Sequence, residues 1–155
     1  MAFLSELLGR AVADVDGERI GVLDDVIATL KSDRPHPQIT AIIVKRAGGN
    51  LLVPLADVAV LIAPAIPLNK HLKSIEPYPP GEHDVWLARD VLDKQIIDTN
   101  GMRVVRVNDL DLAWVNANFY VANVDVGGLG LMRRLGLAGA TEKVAGRLGK
   151  PHAGG

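Results

Sequence analysis

Val12-Ala13-Asp14-Val15-Asp16-Gly17-Glu18-Arg19-Ile20, running on to Val22-Leu23-Asp24-Asp25-Val26-Ile27, is one of two versions of the same phrase in this chain. The other reads Ile96-Ile97-Asp98-Thr99-Asn100-Gly101-Met102-Arg103-Val104 and continues to Arg106-Val107-Asn108-Asp109-Leu110. At a constant offset Asp14 meets Asp98, Gly17 meets Gly101, Arg19 meets Arg103 and Asp25 meets Asp109. The apolar positions coincide as well: Val12 with Ile96, Ile20 with Val104, Leu23 with Val107 and Val26 with Leu110. A repeat of this kind constrains the architecture before any single residue is interpreted. It implies two small related β modules, of a type that binds more often than it catalyses.

Asp16-Gly17 and Asn100-Gly101 are the structural turns of the two phrases, since these pairs supply the positive-φ backbone of a tight hairpin. Around the first turn, residues 11–15 alternate apolar and polar, the period of a half-buried strand. Residues 20–30 resume as a long, bent strand in which Gly21 marks a bulge or a close backbone approach. Residues 31–38, with Pro35 and Pro37, form a loop. The β-branched run over 39–44 predicts a strand buried on both faces. Gly48-Gly49-Asn50 turns it into residues 51–54, and 55–58 fits one helical turn. Many short strands with such turns predict a small closed or nearly closed barrel.

Residues 64–81 hold five prolines and Gly81, the composition of a stiff, extended linker. The second module starts at about Asp84, with a long strand over 102–115 and its partner over 119–126. After Gly127-Gly128 the pattern of Leu129, Leu131, Met132 and Leu135 with Arg133 and Arg134 predicts a short amphipathic, basic helix. The expected fold is therefore all-β: two tandem small barrels with a short C-terminal helix. The first module occupies 1–63, the linker 64–83, the second module 84–137 and a tail 138–155.

Composition narrows the function. The 155 residues are 48% apolar but include only two Phe, two Tyr and two Trp, too few stacking platforms for a single-strand nucleic-acid binder. Cysteine is absent, which excludes disulfides, thiol catalysis and cysteine metal sites. The net charge of −1 hides an asymmetry. Residues 81–125 carry four Lys/Arg against eight Asp/Glu, and residues 126–155 carry five against one. The start, Met1-Ala2-Phe3-Leu4-Ser5-Glu6, lacks the basic and apolar regions of a signal peptide. The longest apolar stretch, 58–67, is too short to span a bilayer and contains two prolines. The chain reads as soluble and cytoplasmic, at the inner face of the membrane only through a partner.

No chemistry-bearing set converges. Asp14, Asp16 and Glu18 resemble a calcium loop, but Gly17 is fourth and Asp25 twelfth, where an EF-hand needs glycine sixth and glutamate twelfth. The turn explains Asp16 and Gly17 without a metal. Gly127-Gly128-Leu129-Gly130 lacks the third glycine of a dinucleotide fingerprint and the Lys-Ser/Thr of a P-loop. His36, His71, His83 and His152 show no zinc-pair spacing, and Ser5, Ser32 and Ser74 lack a nucleophile elbow. The expectation is a non-enzymatic chain with no cofactor and no metal. Three surfaces are candidates for a protein partner: loop 31–38, an acidic face on Asp90, Asp93, Asp109 and Asp111, and the basic helix at Arg133 and Arg134. A strand edge left open in the second module would suit a homodimer.

The first module resembles the PRC-barrel family, named for the photosynthetic reaction centre H subunit and shared with the ribosome-maturation protein RimM. The residues that carry the resemblance are Leu8-Gly9-Arg10-x-Val12, Asp16-Gly17-x-x-Ile20-Gly21-x-Leu23-x-Asp25-Val26, Ala41-Ile42-Ile43-Val44 and Val53-Pro54-Leu55-x-Asp57-Val58. The second module is less complete and lacks the Val-Pro-Leu strand. Its residues 87–98 and 124–136 are similar to the cytoplasmic N-terminal region ahead of some bacterial MgtE-type magnesium transporters. The resemblance implies a docking or regulatory module attached to such a transport system, with no catalytic residue and no magnesium site carried over. A RimM-like ribosome or RNA adaptor is the alternative, marked by salt-sensitive RNA binding; DNA is not an expected partner. A third reading, a Mg²⁺ sensor on the acidic second module, predicts a Mg²⁺-dependent melting temperature abolished by Asp109→Asn.

Overall fold

The computed structural model describes residues 2–31, 35–98, 103–126 and 132–133. Their strands are β1 (Ala2–Phe3), β2 (Ala11–Ala13), β3 (Arg19–Thr29), β4 (Gln38–Arg46), β5 (Gly49–Pro54), β6 (Ile66–Pro67) and β7 (Asp84–Trp86). There follow β8 (Gln95–Asp98), β9 (Arg103–Arg106), β10 (Asp109–Val115), β11 (Asn118–Asp125) and β12 (Met132–Arg133). Among the described residues helical structure is confined to single turns: α1 (Leu4–Leu7), a π-turn over Leu87–Val91 and two 3₁₀ turns, Leu55–Asp57 and Leu72–Ser74. The fold is mainly β, a curled half-barrel sheet.

Ten strands join one sheet, along the path β1-β10-β11-β4-β3-β2-β6, with β12 on β11, β5 on β4 and β7 on β3; β8 and β9 pair separately. This is not the arrangement of two self-contained barrels in tandem. Strands from both ends of the chain share one sheet because β11 joins β4 where Tyr120 faces Gln38, and because two N-terminal segments cross over. β1 lies along β10, Phe3 opposite Asp111. β7 lies along β3, Trp86 opposite Ile27.

The crossing segments end in the same device. Asp25 accepts the amide hydrogens of Val26 (2.7 Å), Ala88 (2.6 Å) and Arg89 (3.0 Å). Asp109 accepts those of Leu110 (2.9 Å) and Ser5 (3.0 Å), and also the Ser5 hydroxyl. Each carboxylate thus satisfies N–H groups at the start of a helical turn from the other half of the chain, where the first four N–H groups have no intrahelical acceptor. The following bonds match too. Gly9 N–H donates to Leu23 and Asp93 N–H to Val107, at 2.8 and 2.6 Å; Leu23 N–H donates to Arg10 and Val107 N–H to Lys94, at 2.9 and 2.8 Å. Gly9 (φ +88°) and Asp93 (φ +63°) are both left-handed. One residue distinguishes the two turns: α1 closes Leu4 to Leu8, whereas the π-turn closes Leu87 to Leu92. A π-turn is the form a one-residue insertion takes in a helix.

The expected features of the first half are present. β3 carries register shifts at Leu23/Asp25 and Ile27/Ala28. A Cβ on Gly21 would run into the Lys45 carbonyl and lie 2.8 Å from Val44 Cγ1, so only glycine fits. β4 is buried on both faces, with Ile39, Ile42 and Val44 in the main core and Ala41 and Ile43 packing with Ile27, Leu52, Tyr78 and Trp86.

The tight turn at Asp16-Gly17 is present, with Gly17 supplying the left-handed backbone (φ +84°); it is a β-turn closed by Gly17 N–H to Asp14 O and held by Asp14 Oδ1. Three expectations need correction. Part of the supposed linker is core: Ile66 and Leu68 are fully buried, and Ile66–Pro67 runs parallel to Val12–Ala13. Proline is tolerated there because an edge strand needs no outward N–H. The long second strand is broken at Val107–Asn108 into β9 and β10. Within the expected basic helix, Met132–Arg133 is instead extended and pairs with Asp125 and Val124, as Val53 pairs with Ile42 on β4; backbone pairing to the neighbouring strand outweighs the helical spacing of the apolar residues. The remainder of that helix, with Arg134, and the Asn100-Gly101 turn lie outside the described residues.

Candidate functional site

The acidic face does not assemble. Asp111 is buried and accepts a 3.1 Å bond from Asn123 Nδ2. Asp109 holds Ser5. Asp90 is engaged by Trp86 N–H at 3.2 Å and by the Arg89 guanidinium at 2.8 and 2.9 Å, with that guanidinium 4.3 Å over the Trp86 ring. The bond to Asp90 raises the Arg89 pKa further. Asp93 alone is fully on the surface, in a 3.3 Å pair with Arg106. Three of the four aspartates are thus bound up in holding backbone and neighbouring side chains. Asp25 shows what such burial does: desolvation pushes its carboxyl above the usual value, helped by the charge of Asp90, against the pull of its three amide donors. Loop 31–38 is described at residues 31 and 35–38. His36 Nδ1 lies 3.2 Å from the Val121 carbonyl and Gln38 Nε2 3.2 Å from Asn118 Oδ1, so the end of this loop packs against β11.

What the structure does assemble is an apolar groove of about 840 Å³. Its floor is Ile39 and Thr40 of β4. One wall is the 3₁₀ turn at Leu55 and Ala56 with the segment from Val58 to Ile62, and the other is Trp114, Asn118 and Phe119 from the β10–β11 hairpin. Among the described residues no Asp, Glu, Lys, Arg or His lines it. The hairpin wall owes its shape to a two-residue turn, since Val115 faces Asn118. Asn116 (φ +49°) and Ala117 (φ +67°) are both left-handed, the type I′ geometry that twists with the strands. Trp114 and Phe119 face each other across that turn and meet edge to face, centroids 4.7 Å apart. Phe119 is buried, whereas Trp114 stays 56% exposed and Val60 on the opposite wall 50%. A large aromatic side chain exposed at the rim of an apolar depression is unusual on a free surface and typical of contact sites. Sequence reasoning missed the groove because its walls are more than fifty residues apart, and missed the turn because Ala117 carries none of the glycine or asparagine preference of a left-handed position.

With this geometry in hand, the comparison with known families is specific for one half of the molecule. Residues 1–66 match the family model of the PRC-barrel domain, which assigns a PRC-barrel domain to that part of the chain alone. No curated protein matches the chain. Among the described residues no helix is long and apolar enough to cross a membrane.

Proposed function

We propose that the chain is a non-enzymatic protein-interaction module in which residues 84–137 form a second, PRC-like unit interlocked with the first. Its groove would hold an uncharged apolar segment of a protein partner. The observation that carries this reading is the exposed Trp114 over an apolar groove lined, among the described residues, by no ionisable side chain other than Tyr78. Such a surface rewards burial of apolar side chains and offers nothing to a phosphate backbone. The resemblance of residues 87–98 and 124–136 to the region preceding MgtE-type transporters makes the cytoplasmic part of such a transporter the partner we favour. The paired bonds of Asp25 and Asp109 support the second unit. A RimM-like adaptor remains the rival, since the PRC-barrel match covers the half that RimM shares.

The test is binding of the purified full chain to the cytoplasmic region of an MgtE-type transporter from the same cell, and to ribosomal RNA. Trp114→Ala should abolish the protein complex while the variant keeps its far-UV spectrum and loses less than about 1 kcal/mol of stability. Salt-sensitive binding to ribosomal components alone, untouched by Trp114→Ala, would replace this reading by the rival.

A further inference from the structure

The β2–β3 turn carries a second, unrelated feature. Two aspartates on a turn are common and by themselves say nothing about an ion. Here, however, Asp14 is only 7% exposed. Its Oδ1 accepts the amide hydrogens of Asp16 (2.9 Å) and Glu18 (3.0 Å), while no donor among the described residues reaches its other oxygen. One oxygen of this largely buried carboxylate is thus left without a donor among the described residues, a position open to a cation. Beside Asp14 stand the Asp16 carboxylate and the His71 imidazole, whose Nδ1 lies 3.1 Å from Asp16 Oδ2. One ligand atom from each of Asp14, Asp16 and His71 lies within 4.8 Å of the other two. His71 is delivered from a distant part of the chain by backbone bonds: Leu68 N–H donates to Ala13 O at 2.8 Å and Val15 N–H to Lys70 O at 3.2 Å. The neighbouring Lys70 ammonium is turned away to Asp57, 3.0 Å, and so does not neutralise the two aspartates.

We propose that Asp14, Asp16 and His71 bind one divalent first-row transition ion, for which Zn²⁺ is the reference probe. An imidazole nitrogen with two carboxylates suits such ions, whereas Mg²⁺ and Ca²⁺ prefer all-oxygen shells. Three protein ligands leave the remaining positions to water. The ion would fasten the residues after β6 to the β2–β3 turn and thereby lock the short β2–β6 edge. The site belongs to the first half alone, because Asn100 stands where Asp16 would repeat.

The experiment uses the metal-stripped full chain titrated with ZnCl₂ alone and, separately, MgCl₂ alone, followed by calorimetry and thermal melting. One Zn²⁺ per chain should bind and raise the melting temperature, with Mg²⁺ ineffective at the same concentration. His71→Ala and Asp16→Asn should each weaken binding roughly tenfold or more, since a lost ligand is replaced only by water. His36→Ala, His83→Ala and His152→Ala should bind like the wild type. Absence of Zn²⁺ uptake by the wild type, or unchanged uptake by His71→Ala, would overturn the proposal; so would equal competition by Mg²⁺. Asp14 is left intact because its Oδ1 holds the turn.

Discussion

The two halves use the same backbone scheme with different side chains, and the differences mark where each can act. Ile27 and Asp111 stand at matching places, each followed by a register shift in its strand pair. Ile27 is fully buried beneath Trp86 and Tyr78, whereas Asp111 occupies its place with a bond to Asn123. The first half turns from β3 to β4 through a long proline-containing loop, and the second turns from β10 to β11 in two residues. That tight turn puts Trp114 at the rim of the groove. Residues common to both halves, such as Asp25 and Asp109, close the fold; residues peculiar to one, such as Trp114 and His71, carry the proposed contacts.

The largest expected effect comes from forcing one half to imitate the other. Ile27→Asp would bury a carboxylate in the cluster of Ala41, Ile43, Leu52, Tyr78 and Trp86 and should cost about 4 kcal/mol or more in urea unfolding. In the reverse direction, replacing both Asp111 and Asn123 by Val removes donor and acceptor together and should cost less than about 1 kcal/mol. A large loss there would show that the polar pair is essential to the second half.

The carboxylate clamps come next. Asp25→Ala strands three amides and should cost about 3 kcal/mol, while Asp109→Ala, at a partly exposed site, should cost about 1–2 kcal/mol. Their order in chemical denaturation tests whether the first clamp is the stronger. The titration of Asp25 adds a pH test. Its carboxyl titrates above the ordinary value of 3.8 in the folded chain, so between those two pH values the native state binds more protons than the unfolded state. Stability from this group therefore grows as pH falls towards 3.8 and declines as pH rises through the folded value. The stability difference between wild type and Asp25→Asn should shift in favour of the wild type on acidification over that window. A difference that is flat with pH would contradict the desolvation argument.

The smallest effect expected is a gain. Ala117 is left-handed, a conformation that costs an L-residue about 1 kcal/mol, and Ala117→Gly should raise stability by up to about that amount in thermal unfolding. No gain would mean that the hairpin tip adjusts without strain.

Much of this was legible locally. The repeat located Asp25 and Asp109 as residues of the fold, β4 was evident from its β-branched run, and the need for glycine at position 21 was readable from its place inside a strand. What escaped was long-range. Strand period says which face is buried but not which strand lies alongside, so the crossing of β1 and β7 left no local trace. Counting prolines turned Ile66 and Leu68 into linker, although their alternation about Pro67 is that of an edge strand. Grouping Asp90, Asp93, Asp109 and Asp111 by charge ignored that Asp109 and Asp111 sit within a strand and that Asp90 lies within reach of Trp86 N–H. The groove, built from β4, residues 55–62 and a hairpin tip, has no contiguous sequence to betray it.

The claim on which the rest stands is that each half is closed by a segment from the other. Native-state amide hydrogen exchange tests it residue by residue. In the wild type the amides of Ser5, Ala88 and Arg89 should all exchange slowly; Asp25→Ala should release Ala88 and Arg89 while Ser5 stays protected, and Asp109→Ala should do the reverse. Fast exchange of Ala88 in the wild type, or loss of protection at Ser5 and Ala88 alike in either variant, would contradict the reciprocal closure.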